Sequence, residues 1–448
     1  MSKLMVSVSG VRGIVGETLT PEVILEYTSA YAEFVSNGKV IVGRDSRISG
    51  EMVRNLVIGT LLSKGLDVID IGIVPTPTVL FTVNKLNAQG GISISASHNP
   101  NEWNALKLIN SKGEFLSPEE NQLMLSFLNK SKNYKRWNQL GKLQNYFEAI
   151  DEHINAILNL EIINVEEIKK RKFRILLDCV NGAGVYSVPK LLDKLGCEVI
   201  EYNCDKTGIF PRLPEPLPEN LVDTMKKVEQ SNVDLGIVVD PDVDRLVLIT
   251  ENGIPFGEEN TITQCVRYVL SKTPGNVVVN LSTTRAVEDV AKQFNSIVFR
   301  SPVGEANVVK KMKEVNAIIG GEGSGGVIYP VLHYGRDALV GIALTLQNLV
   351  ENKISLSEFK ANLPEYFISK KKIELTKSPD EILNKLIDNY SNQKINTDDG
   401  LRIDFEEYWI HLRKSNTEPI IRIIVEAKTQ NLADEIADKF FNEIVKLI

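Results

Sequence analysis

The chain has 448 residues, 43% of them hydrophobic and 24% charged, and a net charge of −7. That length is too great for one hydrophobic core and predicts about two to four domains. The composition is that of an ordinary globular protein, and the acidic balance argues against a nucleic-acid partner. No apolar run is long enough to span a bilayer, and no basic region followed by a long apolar run opens the chain. Cys179, Cys197, Cys204 and Cys265 form no C-x-x-C pair, so neither a zinc site nor a redox pair is signalled. The expectation is a cytoplasmic protein with reduced thiols and no membrane partner.

Taken in chain order, short apolar runs alternate with amphipathic stretches. The run 39–43 reads as a strand, 50–64 as a helix with apolar positions at Met52, Val53, Leu56, Val57, Leu61 and Leu62, and 67–72 as the next strand. This is a βαβ unit. The pattern restarts with a strand at 173–178, a turn at 181–184, a helix at 188–195 and a strand at 198–200. It restarts again with a strand at 276–280, a helix at 285–294 and a strand at 296–299. The last part differs. Stretches 400–405, 408–413 and 420–426 read as antiparallel strands and 432–447 as an amphipathic helix, which makes a small α+β unit.

Four loops carry chemistry. In the first, Gly91 to Pro100, a β-type stretch ends in small residues, and Ser97 is followed by His98, Asn99 and Pro100. This holds a hydroxyl out of the core beside a group that titrates near neutral pH. Taken alone, Ser97 is a turn serine, His98 a loop histidine and Lys107 a surface lysine. The second loop, Asp240 to Arg245, places Asp240, Asp242 and Asp244 on one turn between the strands 233–239 and 246–250. Such hard oxygens suit Mg²⁺. A calcium loop of the EF-hand type needs glycine where Arg245 stands, and it needs flanking helices. A merely solvated turn would leave the carboxylates repelling one another.

The third loop is the glycine-rich run Gly320 to Gly326, which allows close backbone approach to a ligand, with Glu322 and Ser324 able to read sugar hydroxyls. The fourth, Arg413 to Arg422, sets two arginines around hydroxyl and amide groups at a strand–turn–strand and suits a phosphate dianion. Taken alone, it is an ordinary polar hairpin.

These loops, in this order and spread over nearly the whole chain, resemble those of the α-D-phosphohexomutase family of phosphoglucomutases, phosphomannomutases and phosphoglucosamine mutases. Gly10 to Ile14 and Gly43 to Arg47 resemble family patterns as well. The resemblance implies a heart-shaped, four-domain architecture around a cleft: three similar α/β domains with mixed sheets and a smaller α+β domain like the TATA-binding protein. The expected domains are 1–150 with the catalytic serine loop, 151–252 with the metal loop, 253–367 with the sugar loop and 368–448 with the phosphate loop.

The implied activity interconverts hexose 6-phosphate and hexose 1-phosphate through a phosphoserine at Ser97 and a hexose 1,6-bisphosphate intermediate. Ser97, Asp240, Asp242 and Asp244 would hold Mg²⁺. His98, Lys107, Arg245 and Arg12 would serve the reacting oxygens, and Glu322 and Ser324 the sugar. Arg413, Ser415, Asn416, Thr417 and Arg422 would take the non-reacting phosphate. The partner is a small phosphosugar, to a monomer or homodimer.

The chain departs from the pattern at three places: Gly326 and Glu305, where bacterial phosphomannomutase-type members carry histidine, and Asn416, where many carry glycine. The glycine-rich loop is closer to archaeal and some bacterial members, and glucosamine phosphate is the expected substrate, with mannose and glucose phosphates as alternatives. A Mg²⁺-dependent phosphatase with an aspartyl nucleophile in the 240–244 loop and a non-enzymatic phosphosugar sensor are the competing classes.

Overall fold

The computed structural model describes residues 4–7, 10–130, 133–375, 378–414 and 420–447. Its first sheet holds β1 (Met5–Ser7), β2 (Gly10–Ile14), β3 (Lys39–Arg44), β4 (Asp67–Ile73), β5 (Gly90–Ile94), β6 (Trp103–Ile109) and β7 (Leu143–Asn145) in the order β1-β2-β6-β5-β3-β4-β7. The second holds β8 (Arg174–Asp178), β9 (Glu198–Tyr202), β10 (Leu235–Val239) and β11 (Leu246–Thr250), ordered β11-β10-β8-β9. The third holds β12 (Val277–Asn280), β13 (Val298–Ser301), β14 (Ile319–Glu322) and β15 (Gly326–Ile328), ordered β13-β12-β14-β15.

The three sheets share one plan. In each, two strands lie parallel on either side of a first, and a fourth strand runs antiparallel beside the third. The connection from third to fourth strand is the serine loop in the first unit, the aspartate loop in the second and the glycine-rich loop in the third. Each connection contains a residue in the left-handed region: Ser97 at φ 50°, Val243 at φ 62° and Gly325 at φ 85°. The three loops thus leave equivalent C-terminal strand ends, where open α/β sheets bind ligands.

The C-terminal unit is a different fold. β16 (Phe367–Glu374), β17 (Lys394–Asn396), β18 (Leu401–Asp404), β19 (Tyr408–Lys414) and β20 (Ile420–Ala427) form an antiparallel sheet in the order β16-β20-β19-β18-β17. Ile421, Ile423 and Val425 point to one face and pack with Ile436 and Phe440 of the helix Gln430–Leu447. This is the alternation expected of a sheet covered on one side.

The strands of the three βαβ blocks are present, with shifts at their ends. The strand expected at 296–299 runs from Val298 to Ser301, and that expected from 233 begins at Leu235. Among the described residues no helix is long and apolar enough to cross a membrane, and the four cysteines are free thiols.

Behind the loops, three segments meet at a buried carboxylate. Asp337 caps the helix Ala338–Asn352 by accepting from the Leu339 amide at 2.8 Å. Its other oxygen lies 3.0 Å from His153 Nε2 and 3.3 Å from His333 Nε2, while Thr78 Oγ1 lies 3.0 Å from His153 Nδ1. Burial holds His333 below the ordinary histidine range, and burial likewise pushes His411 down to about 4. Between the folded and unfolded pKa values the unfolded chain binds more protons, so stability rises with pH there and is lost as pH falls below about 6.5. The contribution of these two histidines to the unfolding free energy measured in urea is therefore expected to be flat above about pH 7 and to fall below it, by up to about 1.4 kcal/mol per pH unit per histidine, against an opposite slope from Glu259 and Glu305, which burial raises to about 8 and about 7. His333→Gln should make that fall shallower. An unchanged slope would remove His333 as its source.

Candidate functional site

Ser97 is 3% exposed, and its left-handed backbone is held from several directions. Ser95 Oγ accepts from the Ser97 amide at 2.9 Å and donates to Asp45 at 2.7 Å. Asp45 pairs with the buried Arg47 at 3.0 Å. Arg47 in turn donates to the carbonyls of Ser97, Asn99 and Pro100 at 2.7, 2.6 and 2.5 Å. A non-glycine residue at positive φ is unfavourable on its own and persists because this guanidinium fixes the turn. The Gly43 to Arg47 motif is the signal in the sequence that marks these supports.

The hydroxyl so placed meets the second unit's loop. Ser97 Oγ donates to Asp240 Oδ2 at 2.9 Å, across 143 positions of sequence, and lies 3.3 Å from His98 Nδ1. Asp240, Asp242 and Asp244 are all buried, with one oxygen of each within 4.8 Å of the others. Each carboxylate is anchored by the protein. Asp240 Oδ1 accepts the amides of Asp244 and Arg245 at 3.1 and 3.2 Å. Asp242 Oδ2 accepts from Lys107 at 2.5 Å and Thr76 at 2.6 Å. Asp244 Oδ2 accepts from Arg336 at 2.7 Å.

The second oxygens of Asp242 and Asp244 are buried and accept no hydrogen bond. Orphaned buried carboxylate oxygens beside a serine hydroxyl are costly unless a cation takes them. The donor set is all oxygen, the chemistry of a hard divalent cation. The triad therefore fits a metal ion.

The electrostatics agree. Burial, then Asp244 and Asp242, raise Asp240 well above the usual carboxylate range. Burial would raise Asp242 too, but Lys107 and Thr76 outweigh it and hold it low. Lys107 is not the surface residue that its local sequence suggests. It is 3% exposed on β6, and although burial alone would lower it, Asp242 and Asp244 hold it above its ordinary value as an ammonium. His98 is kept far below the usual imidazole range by burial, then by Arg245 and Arg12, so it is neutral near pH 7. Arg12 donates to Asn99 Oδ1 at 2.7 Å and Arg245 Nε lies 3.9 Å from Asp244, so both guanidinium groups lie beside the serine and aspartate loops.

The glycine-rich loop is stitched to the metal loop. Gly325 O accepts from the Leu246 amide at 2.9 Å, and a Cβ at Gly325 would lie 2.4 Å from Leu246 O. Glu322 is buried, and its Oε1 accepts from Asn280 and the Gly304 amide at 2.8 and 2.9 Å. Burial would raise its pKa, but Arg336 and these donors hold it down. Ser324 is half-buried at the tip of the loop.

The C-terminal unit supplies cations. Arg413 and Arg422 are direct cross-strand partners on β19 and β20, and Lys372 on β16 is the next partner in the same row. Like charges facing one another on a sheet are unfavourable without an anion. Arg413 Nε also lies 2.8 Å from Asp399 Oδ2, which accepts the Val303 amide at 3.0 Å. Ser415, Asn416 and Thr417 lie outside the described residues.

Sequence reasoning missed Arg336, which belongs to no motif. Its Nη2, Nη1 and Nε bind Asp244, Glu322 and Glu305 at 2.7, 2.7 and 2.9 Å. It missed Thr76, which donates to Asp242, and Lys372, which joins the arginine row, for the same reason: only the folded chain brings these partners together.

Comparison with known proteins agrees with this layout. Four family models match in order: phosphoglucomutase/phosphomannomutase alpha/beta/alpha domain I over residues 3–135, domain II over 151–253, domain III over 258–367 and the C-terminal domain over 371–443. A probable phosphoglucosamine mutase of Methanopyrus kandleri is 35% identical over 448 residues, covering 98% of this chain and 97% of its own. A phosphoglucomutase/phosphomannomutase of Thermococcus kodakarensis is 38% identical over 436 residues, covering 95% of each. The crystal structure of a phosphoglucomutase/phosphomannomutase family protein from Burkholderia thailandensis superposes with a TM-score of 0.86 at 25% identity, covering 99% of this chain and 98% of its own.

Proposed function

The chain belongs to the α-D-phosphohexomutase family and is a phosphohexomutase, and from that premise we propose that it interconverts the 6- and 1-phosphates of glucosamine through a phosphoserine at Ser97. The observation that carries the reading is the 2.9 Å contact between Ser97 Oγ and the aspartate loop, which puts an oxygen nucleophile on a cation-ready cage. The probable phosphoglucosamine mutase among the relatives supports the choice of sugar.

In this reading Ser97 carries the phosphoryl group and passes it to the free hydroxyl of a bound hexose phosphate. The bisphosphate turns over in the cleft, and its other phosphoryl group returns to Ser97. Asp240, Asp242 and Asp244 would hold Mg²⁺, which when bound offsets charge on the transferring group. Lys107 keeps Asp242 ionised and oriented. Arg12 and Arg245 add positive charge at the cleft wall, where a phosphoryl group gathers negative charge in transfer. His98, neutral and 3.3 Å from Ser97 Oγ, and Asp240, which accepts from that hydroxyl at 2.9 Å, are the groups within reach of it. At the far end Arg413 and Arg422, with Ser415, Asn416 and Thr417, dock the phosphate that does not react. Binding energy there positions the sugar for attack. Glu322 and Ser324 read the ring hydroxyls in either orientation.

A coupled assay with Mg²⁺ and trace hexose 1,6-bisphosphate, run across the 1-phosphates of glucosamine, glucose and mannose, tests this. Turnover of all three is expected, with the amino sugar fastest. Equal rates would remove the preference for glucosamine, and no turnover of any would remove the reading itself.

A further inference from the structure

Building on that reading, we propose that Glu305, held in place by Arg336, is the residue that selects a hexose bearing an ammonium group. Glu305 is the first residue of the helix Glu305–Glu314 and is 7% exposed. The preceding residue, Gly304, gives its amide to Glu322, so Glu305 stands next to the carboxylate that reads the sugar.

Arg336 fixes the pair. Its Nε takes Glu305 at 2.9 Å, its Nη1 takes Glu322 at 2.7 Å, and its Nη2 takes Asp244 at 2.7 Å. One guanidinium therefore serves three buried carboxylates. The aspartate belongs to the cation cage, and a cation there answers its charge. Glu305 and Glu322 then share one guanidinium as their ion-pair partner, with Lys107 and Arg245 acting on them only from farther off. Burial of an unbalanced carboxylate is costly, and a positive group on the ligand offsets that cost. Burial does push Glu305 up, to about 7, which is the behaviour of a carboxylate short of a partner.

Gly326 supplies an independent observation. A Cβ there would lie 2.3 Å from Arg336 Cδ. The loop therefore ends in glycine because the arginine stem crosses it. The arginine occupies the place a larger side chain would fill, and its charge is spent inside the protein on Glu305 and Glu322 rather than offered to the ligand. A neutral hexose presents no cation to this corner, whereas a 2-amino hexose presents its ammonium.

The test compares glucosamine 6-phosphate with glucose 6-phosphate on the full-length enzyme, by kcat/KM and by calorimetric binding to the unphosphorylated protein. Glu305→Gln keeps shape and removes charge. It is expected to lower kcat/KM for the amino sugar about tenfold or more, mainly through KM, and to change glucose 6-phosphate less than about threefold. Glu305→Asp, which keeps the charge, should restore part of the difference. Arg336→Lys keeps one charge and loses the three-way grip, and it should narrow the same discrimination without abolishing metal binding. Equal loss on both sugars, or no loss on either, overturns the assignment. If the wild-type enzyme turns over neither sugar phosphate, the functional reading has failed. Glu305 is still judged by binding alone, where equal affinity of wild type and Glu305→Gln for glucosamine 6-phosphate overturns it.

Discussion

Ser97→Ala is expected to reduce mutase turnover by about 10⁴-fold or more, the scale on which loss of a covalent nucleophile acts. The substitution removes one oxygen and little else. Alanine has the same Cβ as serine and meets the same left-handed backbone. The clamp that fixes the turn runs from Arg47 to the carbonyls of Ser97, Asn99 and Pro100, none of which depends on the serine side chain. The variant should therefore fold, bind hexose phosphate and fail in transfer. Intact mass should show no phosphate on the variant under conditions that load the wild type. A phosphatase built on an aspartyl nucleophile from the 240–244 loop would keep its activity, so retention of more than about a tenth of the wild-type rate would decide for that class.

Removal of divalent cation is expected to cost about 10³-fold in rate and to be reversed by Mg²⁺. The reason is structural as well as chemical. Asp242 and Asp244 each keep one buried oxygen that accepts no hydrogen bond, and the aspartates repel one another. A cation that binds the folded chain and not the unfolded one should raise stability by about 2.7 kcal/mol at one hundred times its Kd. Asp242→Asn separates the two effects. It breaks the buried pair with Lys107, at a cost of about 3–5 kcal/mol in comparable cases, and it also relieves repulsion with its neighbours. The net loss of unfolding free energy should be smaller than that cost, and the denaturation midpoint should no longer respond to Mg²⁺. A variant that still gains stability from Mg²⁺ would mean that the cation binds elsewhere.

The legible parts of the sequence were those in which neighbours along the chain decide the outcome. The strands 39–43 and 173–178 are continuous apolar runs, and the aspartate and glycine-rich loops carry their chemistry in a few consecutive residues. Short elements such as β7 and β15 were not legible, because three residues cannot establish a period. Lys107 read as a surface lysine from its neighbours, and only the family resemblance put it near the reacting oxygens, because its company is distant. Its carboxylate lies 135 positions away, and nothing local distinguishes it from a solvated lysine. Arg336 was invisible for the same reason. The departures noted at Glu305 and Gly326 were visible as residues, but their connection through a single guanidinium exists only in three dimensions.

The first three units share an apolar cluster that runs from Ile41 to Leu363, whereas the apolar cluster of the C-terminal unit contains, among the described residues, only its own side chains. Where that unit meets the third, the contacts are polar: Ser282 with His411, the Arg285 amide with Glu426, and the Val303 amide with Asp399. Water can replace each of these partners at little cost, while parting the first three units would expose hydrocarbon. The C-terminal unit is therefore expected to part from the third at less cost than the first three part from one another. In the proposed reaction a bisphosphate turns end over end without escaping, and that construction would suit it: the wall carrying Arg413 and Arg422 would slacken while the aspartate cage stays in place.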